Sequence, residues 1–338
     1  MPALPTVSRE VRLAVAPDGP ATSAHLAVVE VPPPVPGDGE VLVANRHFLV
    51  FAALLRTMMS SGVQEHGGIR PGDVLPGPAI GEVISAPEDS GLRPGDLVSH
   101  GRGWREHVVL PVAECSPLGD DLPDPVAHLS QGWSAYAALT RAVEVRPGDT
   151  VFITGGAGAL GALAGQIARL LGAGRVIGST GSPAKVERML SELGYDAVVV
   201  RGAEPVAEQL AKAAPDGVDV LVDTVGGEQL RAAVAQARPH ARFVVVGVLS
   251  AQLAEHADAD ALVEVDLAPI VLRRVQVRGF NAADHPDALP EWTERFGGWL
   301  RSGQITFPHV RVDGIDRAPL AFDEVIAGRH LGAVVVDL

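Results

Sequence analysis

The chain has 338 residues, enough for about two domains with proper cores, and its 47% hydrophobic and 20% charged residues describe a globular protein and not a disordered one. A formal charge of −14, with no block of Lys or Arg, disfavours nucleic acid and anionic membrane as partners. With Cys115 the single cysteine, an internal disulfide and a cysteine-based zinc site are excluded.

The N-terminal stretch MPALPTVSREVRLAV is charged and has no continuous apolar segment, which argues against a signal peptide. No run approaches the roughly 18 apolar residues of a membrane span, so a cytoplasmic protein is expected. The first hundred or so residues carry short valine-bearing runs, HLAVVEV, EVLVANRHFLV, AIGEVISA, DLVSH and REHVVLP, separated by turn signals such as PGDGE and RPGD. That spacing predicts a compact β domain resembling a partly opened barrel.

From about Leu129 the texture changes. Strands are predicted at residues 150–154, 175–178, 197–200, 218–222 and 242–246, alternating with helices at 162–171 and 183–193, one ending near 214, and one between the last two strands. Regular β-α alternation means a doubly wound parallel sheet with helices on both faces. The end of the chain goes back to the first texture, with FPHVRV and HLGAVVVDL as strands around a helix at 317–327, which Asp316 would cap and Gly328 would end. The expected architecture is therefore a mostly β domain of residues 1–128 and 307–338, with an α/β domain of residues 129–306 inserted in it.

VFITGGAGALGALAGQIARL, beginning at Val151, joins a strand to a helix through a run of small residues, Gly156, Ala157, Gly158, Ala159, Leu160 and Gly161. In such a G-x-G-x-x-G turn the first glycine permits the tight bend, the second lets a pyrophosphate approach the backbone and the third lets helix and strand pack closely. The free N–H groups of the helix then face the anion. An NAD-binding unit places an acidic residue about 20 positions further on. Here VIGSTGSPAKV has none, and Ser179, Ser182 and Lys185 stand in its place. With Ser182 as N-cap, Lys185 falls in a first turn where the helix dipole disfavours a cation unless it meets a phosphate. Arg201, at the end of the third strand of this unit, would join it, so the expected cofactor is NADP(H).

With these pieces in order, the chain resembles the medium-chain dehydrogenase/reductase superfamily, and within it the zinc-independent branch of prostaglandin and alkenal double-bond reductases and quinone oxidoreductases. GWSAYAAL, GGAGALG, GSPAKVERMLSELGYDAVV, DGVDVLVDTVGGEQL, VQVRGFNAAD, LRSGQIT and AGRHLGAVVVDL carry the resemblance. It implies a Rossmann nucleotide domain inserted in a GroES-like barrel. It also implies cofactor contacts at Ser134, at Gly247, Val248, Leu249 and Ser250, at Phe280 and Asn281, and at His330.

The zinc enzymes of the superfamily have an early cysteine, a Gly-His-Glu motif and a four-cysteine lobe. Here QEHGG at 64–68 has the wrong order and the lobe is missing, so no metal is expected, and His47, His66, His100 and His107 read as ordinary barrel histidines. The branch's acid-and-tyrosine element is also missing, because Phe51, Ala52 and Ala53 occupy its region, and Tyr136 and Tyr195 are tied to other motifs. The resemblance implies hydride transfer to an α,β-unsaturated carbonyl or related conjugated acceptor. Asn45, His47, Arg56, a cofactor ribose hydroxyl or water remain as donors to the developing enolate oxygen. A quinone is the alternative acceptor, and a non-catalytic NADPH-binding protein is the alternative of another class. RRVQVRGF has the alternation of a sheet edge through which the family pairs, so a homodimer is expected.

Overall fold

The computed structural model describes residues 6–59, 68–254 and 262–338, so His66 lies outside the described residues. The N-terminal half contains β1 (Ser8–Leu13), β2 (Leu26–Val31), β3 (Glu40–Leu49), the helix α1 (Ala52–Met59), β4 (Ala79–Ser85), β5 (Leu97–His100), β6 (His107–Pro111) and the short β7 (Ser116–Pro117). β1 and β2 form an antiparallel ribbon. After α2 (Gly132–Ala137) the chain alternates: β8 (Thr150–Ile153), α3 (Gly161–Leu170), β9 (Arg175–Thr180), α4 (Val186–Glu192), β10 (Ala197–Val200), α5 (Val206–Ala213), β11 (Val218–Asp223), α6 (Gly227–Ala235) and β12 (Ala237–Val245). Two further helices, α7 (Leu249–Gln252) and α8 (Leu267–Arg273), lead to β13 (Gln276–Gly279) and the long α9 (Ala288–Ser302). The chain closes with β14 (His309–Asp313), α10 (Ala318–Ile326) and β15 (Ala333–Asp337).

Six parallel strands run in the order β10-β9-β8-β11-β12-β13. Successive side chains of a strand point to opposite faces, and both faces here are apolar. Val151 and Ile153 enter one core with Leu163 and Ile167 of α3 and Trp292 and Phe296 of α9. Phe152, between them, enters the other core with Leu210 of α5 and Ala233 of α6. The strand order reverses beside β8, and in open sheets of this kind ligands bind at the carboxyl ends around such a point. The glycine turn follows β8 directly.

The second sheet has the order β14-β15-β3-β4-β5-β7, with β6 also paired to β3. β15 lies antiparallel to β3, Val335 opposite Leu49, so the last strands of the chain complete the sheet begun by the first. The AVVVD run of β15 is buried on both faces: Val334 and Val336 pack with Phe322 of α10 and Leu55 of α1, and Ala333 and Val335 pack with Ile80, Val126 and Leu129.

Three local predictions are corrected. Residues 183–193 are not one helix, because a 3-10 turn at Pro183–Lys185 precedes α4, and the Ser182 side chain caps nothing. The Ser182 N–H instead donates to Thr180 Oγ1 at 3.1 Å, which keeps the chain extended there. Asp316 does not cap α10, since it sits inside a 3-10 turn at Ile315–Arg317 and takes the Arg9 guanidinium at 2.6 Å. Third, β12 starts at Ala237, five residues before the predicted strand at 242, and its register against β11 shifts between Val218 and Val220. His240 lies within that irregular stretch at φ 65°.

Candidate cofactor and substrate site

The small residues of the glycine turn serve two different needs. A Cβ at Gly161 would stand 2.3 Å from the Gly155 carbonyl oxygen, and one at Gly165 would stand 2.6 Å from the Tyr195 ring. Gly156 and Gly178 make room for the same ring and for Met189. Tyr195 is thus the filler beneath the turn: it is buried, and its hydroxyl donates to the Gly161 carbonyl at 2.7 Å. Burial pushes its pKa upward, so the phenol stays protonated. Gly158 is different, because it is exposed and a Cβ there would meet only the Gly155 carbonyl at 3.3 Å.

Beyond Gly158 the first turn of α3 is open. Ala162 donates to the Gly158 carbonyl at 2.9 Å, and Gly158 bridges Gly332 so that the Ala159 N–H faces the closing segment, but the N–H groups of Leu160 and Gly161 find no acceptor among the described residues. Unpaired N–H groups at a helix start are an anion site. A pyrophosphate fits the residues present.

Two cations stand at the next corner. The Arg201 N–H donates to the Thr180 carbonyl at 2.9 Å, and the Arg201 guanidinium lies against Gly181, 3.1 Å from where a Cβ would be. Lys185 is half-buried, and its Nζ donates to the His330 carbonyl. Burial lowers its pKa. The His330 ring bonds Glu324 at 2.8 Å, and two residues on the Gly332 N–H donates to the Ala157 carbonyl at 2.9 Å. The segment 330–332 therefore ties the closing strand to the glycine turn and to Lys185 together.

Other expected contacts lie around the same carboxyl ends, in different states. Ser179 is turned inward and 2% exposed, with its hydroxyl donating to Gln229 and accepting the Gly155 N–H at 3.0 Å, so it braces the turn and offers nothing to a ribose. Ser134 sits part-buried in α2. Gly247 and Val248 follow β12; Ser250 donates to the Val225 carbonyl at 2.6 Å, and Leu249 through its N–H to that of Thr224 at 3.0 Å. Phe280 stacks on His285 with ring centroids 5.1 Å apart, and Asn281 caps the following turn by accepting the Ala283 N–H at 3.0 Å. Asp223 escaped the sequence reading: it is fully buried, and its Oδ1 accepts Thr154 Oγ1–H at 2.7 Å and the N–H groups of Val225 and Gly226. A carboxylate ending the apolar run VDVLV was the available signal, because a buried charge needs several donors.

On the β half, the three catalytic candidates separate. Asn45 is 4% exposed; its Oδ1 bonds His100 Nε2 at 2.9 Å and its Nδ2 donates to the carbonyls of Arg105 at 2.8 Å and Arg102 at 3.2 Å. It is a strut of the barrel and has little left for a substrate oxygen. His47 Nδ1 bonds Asp337 at 2.7 Å, a pair across β3 and β15. Arg56 is the one that faces the α/β half, donating to the carbonyl of Ala254 at 2.9 Å just past α7. α1 and α7 thus meet, with Phe51, Leu54 and Val248 as exposed apolar side chains nearby in sequence on the two sides.

His100 accepts the Arg102 N–H on Nδ1 at 3.1 Å while Nε2 faces the Asn45 carbonyl oxygen, which requires the neutral ring with its proton on Nε2. Burial, first, and then Arg105 and Arg102 lower its pKa from 6.5 to about 4. The folded value lies below the unfolded one, so the unfolded chain takes the proton first. This contribution to stability is full above about 6.5 and is lost as pH falls toward 4. An NMR titration of the ring should show it neutral until near pH 4, and a midpoint at the ordinary value would overturn the assignment.

Among the described residues no three His, Cys, Asp or Glu side chains gather as a metal site, and no helix is long and apolar enough to cross a membrane. Comparison with known proteins places this geometry. A family profile described as "Zinc-binding dehydrogenase" matches residues 159–296, and one described as "N-terminal domain of oxidoreductase" matches residues 9–118. An NADP-dependent oxidoreductase of Cochliobolus heterostrophus is 30% identical over 287 residues, 79% of this chain and 78% of that one. The NADPH-dependent curcumin reductase of Escherichia coli is 28% identical, covering 96% of this chain and 95% of its own. The crystal structure of CurA from Vibrio vulnificus in complex with NADPH superposes with a TM-score of 0.87 at 26% identity, covering 97% of this chain and 98% of that one. By fold, by the ordered motifs and by these relatives, the chain belongs to the zinc-independent branch of the medium-chain dehydrogenase/reductase superfamily.

Proposed function

We propose that this protein is an NADPH-dependent reductase of α,β-unsaturated carbonyls or related conjugated acceptors, working without a metal, with residues 1–128 and 307–338 as its substrate domain and 129–306 as its nucleotide domain. The observation that carries the reading is the open helix start at Leu160 and Gly161 beside the Lys185 and Arg201 corner. It is supported by relatives named as NADPH-linked curcumin and NADP-linked alkenal reductases.

When bound, NADPH supplies the hydride. The chain holds the pyrophosphate at the backbone of residues 156–161, the 2′-phosphate at Lys185 and Arg201, and the nicotinamide half among Ser134, residues 247–250, Phe280 and Asn281. Ser182 and His330 enter through their backbone positions around Lys185. Phe51, Leu54 and Val248 keep water from the acceptor. Arg56, which faces the α/β half from α1 and donates to the Ala254 carbonyl, would meet the enolate oxygen as its charge develops, whereas Asn45 and His47 bond within the β half. The α-carbon proton then comes from water or a ribose hydroxyl.

NADPH absorbance, followed with an alkyl vinyl ketone and with a naphthoquinone, tests the reading. Saturable consumption with the ketone is expected. Consumption with the quinone alone would assign a quinone reductase, a reading favoured by neighbours titled as quinone oxidoreductases. Tight NADPH binding without turnover of either acceptor would leave a non-catalytic NADPH-binding protein.

The protein is further proposed to be a cytoplasmic homodimer. β13 is an edge strand with all four residues exposed, and α8 beside it exposes Leu267, Val271 and Leu272 at 64, 71 and 75%. An edge and an apolar helix face left together call for a second copy. Light scattering should give twice the chain mass, reverting to the single mass in Leu272→Asp; a monomeric wild type at micromolar concentration would refute the dimer.

A further inference from the structure

The β half contains a pocket of about 290 Å³ whose polar wall is Glu10, Arg12, Arg102, Arg105 and His107. Three guanidinium groups face one carboxylate there, in a chain whose overall charge is −14. Their partners are unevenly shared. Glu10 is 9% exposed and is taken by Arg12, whose Nε donates to Oε1 at 2.6 Å. Arg102 is held by Glu114 through two bonds of 3.0 and 3.1 Å.

Arg105 has neither kind of partner. Its Nε donates to the Gly103 carbonyl at 3.3 Å, and among the described residues no carboxylate lies within ion-pair distance of it. Glu10 is its bridge partner across β1, but that carboxylate is already engaged. Burial lowers the Arg105 pKa, and Arg102 and Arg12 lower it further against the opposing effect of Glu10. A part-buried guanidinium that makes no ion pair, whose nearby carboxylate is taken by Arg12 and which has two like charges beside it, is costly unless an anion completes it. The remaining wall, Val31, Pro32, Pro34, Val108 and Val109, is apolar.

We propose that this pocket binds a small organic anion, a carboxylate or phosphate carried on an apolar body, with the Arg105 guanidinium as its principal contact. A guanidinium presents parallel N–H donors that match two oxygens of either group. His107 adds a neutral neighbour: burial lowers its pKa, and its Nδ1 is engaged with Ser8 Oγ at 3.0 Å. None of the residues of the glycine turn at 156–161 lines this pocket.

Calorimetric titration of the full chain in low-chloride buffer, with hexanoate in one arm and inorganic phosphate in the other, tests the proposal. Saturable binding of at least one is expected, weakened about tenfold or more in Arg105→Gln and less in Arg12→Gln. Hexanoate alone would assign a carboxylate and phosphate alone a phosphate. NADPH affinity, measured on the same samples, should stay unchanged in both variants and reports that they are folded. Should Arg105→Gln fail to fold, Arg12→Gln and Arg102→Gln carry the test. No binding of either anion to the wild type, or equal binding in the folded variants, would overturn the proposal.

Discussion

Gly161→Val is expected to weaken NADPH binding by about a hundredfold or more, read by fluorescence titration, because it moves the helix that presents the open N–H groups. A Cβ at this position would stand 2.3 Å from the Gly155 carbonyl oxygen and 2.7 Å from Gly156 Cα, both of them backbone atoms that no rotamer change can clear. The start of α3 must therefore withdraw from the turn, and the N–H groups of Leu160 and Gly161 withdraw with it. Overpacking of this kind also lowers stability by about 1–3 kcal/mol, visible in denaturant midpoints. Gly158→Ala is the control: a Cβ there meets one atom at 3.3 Å, so folding should be nearly unchanged while affinity falls if the pyrophosphate lies against Gly158. Wild-type affinity in Gly161→Val would mean that the turn does not hold the cofactor.

Lys185→Ala should raise the Kd for NADPH by about 10- to 100-fold and leave that for NADH nearly unchanged, as expected for one hydrogen bond to a charged group of about 1.5–3 kcal/mol. Arg201 is exposed, so its loss should cost no more than about fivefold and should fade at high salt. Lys185 donates to the His330 carbonyl, so the phosphate must share or take over a cation already in use. Equal losses for NADPH and NADH in Lys185→Ala would show that the lysine acts by holding the 330–332 segment against the turn and not by reading the phosphate.

The legible parts of this chain were those written in short-range patterns. Val151 to Ile153 and the helix after Gly161 could be read because burial on both faces of a parallel strand and helical spacing leave local signatures. Ser182 misled for the same reason. A serine before a proline is a good cap by propensity, yet Thr180 Oγ1 reaches the Ser182 N–H first and the helix proper starts only at Val186. Asp316 misled because Arg9, 307 positions away, lies close enough to bind it.

The sequence alone determined the two textures, the strand order's β-α alternation, the glycine turn and the absence of an acid at the ribose corner, since each follows from residue type and spacing within a few turns of chain. Only the tertiary structure decided which candidates are free to act. Asn45 meets His100 from 55 positions away, Ser179 meets Gln229 from 50, and Lys185 meets His330 from 145. A side chain's hydrogen-bonding capacity is set by its type, but whether that capacity is already used depends on which distant groups the packing of two sheets and their helices brings against it.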